Sequence, residues 1–212
     1  MSNVPYLWVN ILALCCYTVL FVVFLAAKKT PEIQSMIMVL GGFFLWTSGS
    51  VMMRLRVYPG VDFWFYVSIM SLFALADLLY IFVCNFTREK GYLLRIIWSI
   101  GTAVMLGFTA TGIFLKPPVV KTLADGDLVF EYTMDGKIII PLVFIMCIVA
   151  SIAKVFVDVI RRKGIHTPGV MSILAGCVTV AVGNIMQILP GNVFPWDTLS
   201  GIIFAGFLSF AL

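Results

Sequence analysis

Charge is what this sequence most lacks. Lys and Arg number 14 and Asp and Glu number 10 among 212 residues, so only 11% of the chain is charged. A soluble domain carries roughly 25%. So few charges cannot clothe a water-facing surface, and they leave no basic face for nucleic acid. Histidine is scarcer still: His166 is the sole example, which cannot make a histidine metal cluster, and it lies in a basic turn with no Ser/His/Asp or HExxH grouping around it. No metal and no cofactor is expected. Proline is absent from the middle of every apolar run. Pro5, Pro31, Pro59, Pro117, Pro118, Pro141, Pro168, Pro190 and Pro195 all fall in polar stretches or at run ends. Secondary transporters often break helices at a midplane site, so this absence weighs against transport. No C-x-x-C pair occurs. Cys15, Cys16, Cys84, Cys147 and Cys177 lie within or beside apolar runs and read as small packing residues rather than a disulfide or metal framework.

What fills the chain instead is hydrocarbon. Hydrophobic residues make up 62% and mean hydropathy is +1.09. An ordinary globular domain is roughly 45–50% apolar. The chain reads as an integral membrane protein, and a span needs about 20 apolar residues. Seven runs qualify or nearly do, at 6–27, 33–53, 63–84, 91–115, 138–160, 168–189 and 198–212. The fold class expected is an all-α membrane protein, a seven-transmembrane helical bundle forming one domain over 1–212. Lys28 and Lys29 follow the first run and no basic segment precedes it, the reverse of a signal peptide. The first run is therefore read as a retained helix with its N-terminus outside.

Counting cations tests that orientation. Lys28, Lys29, Arg88, Lys90, Arg95, Arg161, Arg162 and Lys163 fall on the cytoplasmic side, against Arg54, Arg56, Lys116, Lys121 and Lys137 outside. The excess agrees with the positive-inside rule. The longest polar stretch, Lys116 to Lys137, has short β-rich runs on both sides of Asp125-Gly126. That pattern predicts a small extracytoplasmic β-hairpin between helices 4 and 5. Within the helices, Gly41, Gly42, Ser48, Gly49 and Ser50 offer the second a small face, and Ala103, Gly107 and Gly112 predict a tightly packed side on the fourth. The seventh run has fifteen residues and no polar flank, so the parent protein is expected to continue past Leu212 into a cytoplasmic output domain.

Candidate functional residues are the polar ones that a bilayer tolerates only for a reason. Lys154 and Asp158 lie four apart on the fifth run, in the stretch ASIAKVFVDVIRRK, and Asp77 lies in the third. An Asp77–Lys154 pair between the two helices is expected; the alternative is that Lys154 and Asp158 snorkel to the interface. Asn184 and Gln187 on the sixth helix could line a cavity or hydrogen-bond a neighbouring helix. Arg54 and Arg56 could meet an anionic ligand or lipid headgroups. Asn85-Phe86-Thr87 matches a glycosylation sequon, but this topology puts it inside the cell, and it is discounted. A Schiff-base retinal protein would need a lysine in its last helix, and TLSGIIFAGFLSFAL has none.

The seven-span plan, the long fourth-to-fifth connection, the basic turn RRKGIHTPG and the final segment PGNVFPWDTLSGIIFAGFLSFAL resemble the N-terminal seven-transmembrane sensor region of bacterial histidine kinases and diguanylate cyclases. The resemblance spans nearly the whole chain. It implies a multi-pass protein of the bacterial plasma membrane that detects a small extracytoplasmic ligand or a membrane state. It would signal through helix 7 to a cytoplasmic domain in cis, in a two-component system and as a homodimer. No phosphoacceptor-histidine helix, ATP-binding segment or GGDEF motif is present, so this chain is not expected to be an enzyme. The rival readings are a small-molecule transporter and a ligand-free membrane scaffold.

Overall fold

The computed structural model describes residues 6–89, 91–122, 128–131, 136–163, 168–188 and 195–212. Among them lie seven α-helices: α1 (Leu7–Ala26), α2 (Pro31–Arg54), α3 (Val61–Thr87), α4 (Tyr92–Ala110), α5 (Ile139–Lys163), α6 (Pro168–Ile188) and α7 (Trp196–Ala211). Helices α1 to α5 are long and apolar enough to cross a membrane, while α7 has 16 residues. A helix satisfies its own backbone, which is the requirement for lying in lipid. The chain is a multi-pass membrane protein.

Between α4 and α5, β1 (Val119–Thr122) and β2 (Leu128–Glu131) pair antiparallel, with Val119 opposite Glu131 and Thr122 opposite Leu128. Residues 123–127, which contain Asp125-Gly126, lie outside the described residues.

Local chemistry sets the helix ends. The Thr30 hydroxyl accepts from the Ile33 N–H at 3.3 Å, and Pro31 and Glu32 follow as first-turn residues of α2. Helices α2, α3 and α4 close with one motif. A residue at or just past the cap turns left-handed, and the next N–H reaches back five residues to the last helical turn. Those left-handed residues are Arg56, Arg88 and Gly112. At α4, Gly112 N–H donates to Thr109 at 2.9 Å and Ile113 N–H to Phe108 at 3.3 Å. So α4 stops at Ala110, short of the Leu115 that hydropathy predicts, because Gly112 ends the helix before the apolar run ends.

The helices pack in sequence order around α2 and α3. α2 lies between α1 and α3, α3 also receives α4 and α5, and α7 bridges α1, α2 and α6. Two seams are built alike. Ser68 donates to the Trp46 carbonyl at 3.0 Å beside Gly49, where a Cβ would lie 2.9 Å from the Ser68 backbone nitrogen. Ser172 donates to the Phe207 carbonyl at 2.7 Å beside Gly176, where a Cβ would strike Phe204. Small residues let the α2–α3 and α6–α7 backbones approach, and one hydroxyl spans each gap.

The tightly packed side expected on α4 is not where the small residues are. Ala103 and Gly107 are exposed, and a Cβ on Gly107 would meet nothing within 4 Å. The buried residues of α4 are Thr102 and Thr109. The helix turns Thr102 and Thr109 toward protein, packs Gly101 against Phe144 of α5, and leaves Ala103 and Gly107 to lipid, since shielding a hydroxyl from hydrocarbon outweighs close packing there.

Gly112→Ala should destabilise the protein by about 1–2 kcal/mol, the cost of an L-residue in the left-handed region. Gly107→Ala, in open space, should be neutral or slightly stabilising. Thermal unfolding in detergent measures both.

Candidate functional site

Few polar atoms are buried in this bundle, so each one is informative. The first group lies where α1, α2 and α7 meet. Asn10 and Tyr17 share one face of α1, seven residues and roughly 10 Å apart, and are 1% and 0% exposed. The Tyr17 ring stacks on Phe43 at 5.5 Å, and Phe43 meets Phe204 of α7 edge-on at 5.9 Å. Gly201 admits the phenol: a Cβ there would lie 2.8 Å from its oxygen. Thr47 of α2 faces the Tyr17 hydroxyl. Neither oxygen completes a hydrogen bond, and Asn10 Nδ2 also lacks a partner.

Asp197 completes this group. It stands in the first turn of α7, where its Oδ1 accepts from the Thr198 N–H at 2.7 Å. A carboxylate suits the positive end of a helix. The field of Asp197 reaches Tyr17, and the charge of Arg54, the last residue of α2, acts on Asp197. The start of α7 is thus held to α2 by the charge of Arg54 and to α1 and α2 by aromatic contact, with three buried polar atoms still unpaired.

The second group runs down the α3–α4 seam. Asp77 is 6% exposed; Ser99 of α4 faces its carboxyl, and Oδ1 has no hydrogen-bond partner. On α4, Thr102 Oγ1 and Trp98 Nε1 are also unpartnered, and the Trp98 ring meets Phe144 of α5 at 5.5 Å. Further along, Tyr80, Cys84 and Arg95 form a chain of side-chain contacts. Arg95 Nη1 donates to Asn85 Oδ1 at 2.8 Å and Nη2 to the Glu89 carbonyl at 2.6 Å. Asn85 Nδ2 in turn donates to the Pro31 carbonyl at 3.3 Å. Asn85 therefore ties the ends of α2, α3 and α4 together, a role that its sequon context conceals.

The residues singled out from sequence fare unequally. Asp77 is buried in the bundle, but its polar neighbour is Ser99. Lys154 is exposed on α5, and no ion pair joins it to Asp77 among the described residues. Asp158 is half-buried on α5. Arg54 is half-buried and faces the α7 start. Asn184 and Gln187 lie on α6, but their side chains, like all of His166, are outside the described residues. Sequence reasoning missed Asn10, Tyr17, Thr47 and Asp197. The available signal was a polar residue and a tyrosine seven apart in one apolar run, which is a buried face rather than a lipid-facing one.

Two apolar hollows lie on the helix faces. One of about 360 Å³ lies between α1 and α2, lined by Thr18, Phe21, Gly41, Phe44 and Leu45. One of about 440 Å³ lies against α7, lined by Ile203, Gly206, Phe207 and Phe210. Neither is lined by Asp77 or Tyr17.

Because the Tyr17 and Thr47 oxygens are unpaired, the double variant Tyr17→Phe/Thr47→Val should lose no stability, within about 0.5 kcal/mol, or gain some. Arg95→Met breaks charge-assisted bonds and should cost about 2 kcal/mol or more. Thermal unfolding in detergent compares them. Asp77→Asn and Lys154→Met should have additive effects in a double-mutant cycle, as separate sites do; a coupling term would restore the pair. Comparison with known proteins returns nothing for this chain: no family model, no curated protein and no solved structure matches it.

Proposed function

We propose that this chain is the input region of a bacterial membrane sensor, with seven spans, an outside N-terminus and an extracytoplasmic hairpin between α4 and α5. Its input is a small extracytoplasmic molecule or a membrane state. Its output is a movement of α7 passed to a cytoplasmic signalling domain in cis.

One observation supports this above the rival readings. The start of α7 meets α1 and α2 through a junction left incomplete, with Tyr17 Oη and Thr47 Oγ1 facing each other unpaired within the field of Asp197. Buried polar atoms are nearly always paired, so an unpaired set calls for a second arrangement or an entering polar group. A small shift of α7 would exchange the partners of Asp197 and Tyr17. Packed interfaces respond to such exchanges by switching between discrete states rather than by bending continuously. The α6–α7 seam, closed by Ser172, Gly176 and Gly183, makes α6 travel with α7.

The test uses spin labels at Leu25 on α1 and Phe210 on α7, both exposed, in a background without native cysteines. Asp197→Asn and Thr47→Val should each shift or split the distance distribution, while Arg88→Gln, near Glu32 at the opposite end of α2, should not. An unchanged distribution in both junction variants removes α7 as the moving element.

A further inference from the structure

We propose that one face of α5 binds an anionic phospholipid, with Lys154 and Arg161 at its headgroup and the apolar residues before them along an acyl chain. The proposal goes beyond the sensor reading. It holds whichever end of α5 faces the cytoplasm.

The face is continuous. Val143, Met146, Ala150, Lys154, Val157 and Arg161 are spaced by three, four, four, three and four residues, and all six are exposed. That spacing is one side of a 3.6-residue helix. From Val143 to Lys154 the rise is roughly 16 Å. One leaflet's share of the hydrocarbon is about 15 Å. The apolar part of the face is therefore long enough to carry one acyl chain, and Lys154 stands at its end, one to two turns short of the headgroup level that Arg161 reaches.

Charge decides which lipid. Lys154 makes no ion pair among the described residues, and Asp77 is faced by Ser99 instead. Asp158, one turn on, is half-buried at the edge of this face. Arg161 stands two turns beyond Lys154, roughly 10 Å along the axis, and is exposed on the same side. The lysine stem can follow the helix toward the headgroup level and carry its ammonium to a phosphate. Two exposed cations against one half-buried carboxylate leave the face net positive, which favours a headgroup with net negative charge over a zwitterionic one. A lipid is the source because Lys154 sits below the headgroups, where a free phosphate ion does not go.

Native mass spectrometry of the full chain, released from an equimolar mixture of phosphatidylcholine and phosphatidylglycerol, tests this. The wild type should retain phosphatidylglycerol preferentially. Lys154→Met and Arg161→Gln should each lower that preference about fivefold, equivalent to about 1 kcal/mol per basic residue. Lys154→Arg should keep it, and so should Arg56→Gln on the far end of α2. Equal preference in wild type, Lys154→Met and Arg161→Gln overturns the site. So does an equal loss in Arg56→Gln, which would mean that only total charge matters. Displacement of the lipid by soluble glycerophosphate would overturn the acyl-chain part. Melting temperatures in phosphatidylcholine alone show whether each variant is folded, and Lys154→Arg keeps the test open if Lys154→Met is not.

Discussion

A polar atom inside a bilayer has no water to turn to, and that requirement decides how the helices of this protein face one another. α4 shows it most plainly. Its small residues Ala103 and Gly107 look outward, while Arg95, Ser99, Thr102 and Thr109 look toward protein. Hydrocarbon accepts a methyl or a glycine at little cost but a hydroxyl only at several kcal/mol without a partner. The polar stripe, not the small one, therefore sets the rotation of the helix. The same requirement places Asp77 against α4 and closes the α2–α3 and α6–α7 seams with serine hydroxyls.

Two kinds of polar contact result, and they differ in consequence. At the ends of α2, α3 and α4, Asn85 and both Arg95 Nη atoms are paired, with Arg95 Nε alone left over, and the chain there is clamped. At the start of α7 the pairing is incomplete. Tyr17 enters beside Gly201 and faces Thr47, and neither oxygen finds a bond. A bundle with a clamped end and an unfinished junction has an obvious place for movement, and the sensor reading rests on that contrast.

The surface follows the logic of the interior. Most of α4 and α5 is exposed and apolar, which in a membrane means covered by lipid rather than by water. Against that background Lys154 is conspicuous. It is the charge that the interior did not take, and the lipid face of α5 offers it the partner that Asp77 does not.

The existence of the helices was legible from sequence because hydropathy is a local sum: a run of about 20 apolar residues is helical in lipid whatever its neighbours do. Several ends were legible too, through Thr30, Pro31 and the turn at Tyr58-Pro59-Gly60. Arg54 and Asp77 could be singled out from sequence, since an ionisable group in or beside a span stands out without any structure. What the sequence could not decide is facing. Helices apolar on every side carry little periodic signal, so nothing local says which face of α3 meets which face of α4 or α5. Hence Lys154 was given to Asp77 when the fold supplies Ser99, Asn85 was dismissed as an unused sequon when it ties three helix ends, and Asn10 and Tyr17 passed as ordinary span residues. The composition alone determined that this chain lives in a membrane as helices. Only the tertiary structure decided which polar atoms meet, because partners dozens of residues apart are chosen by helix rotation and close backbone approach, and neither is written in any single segment.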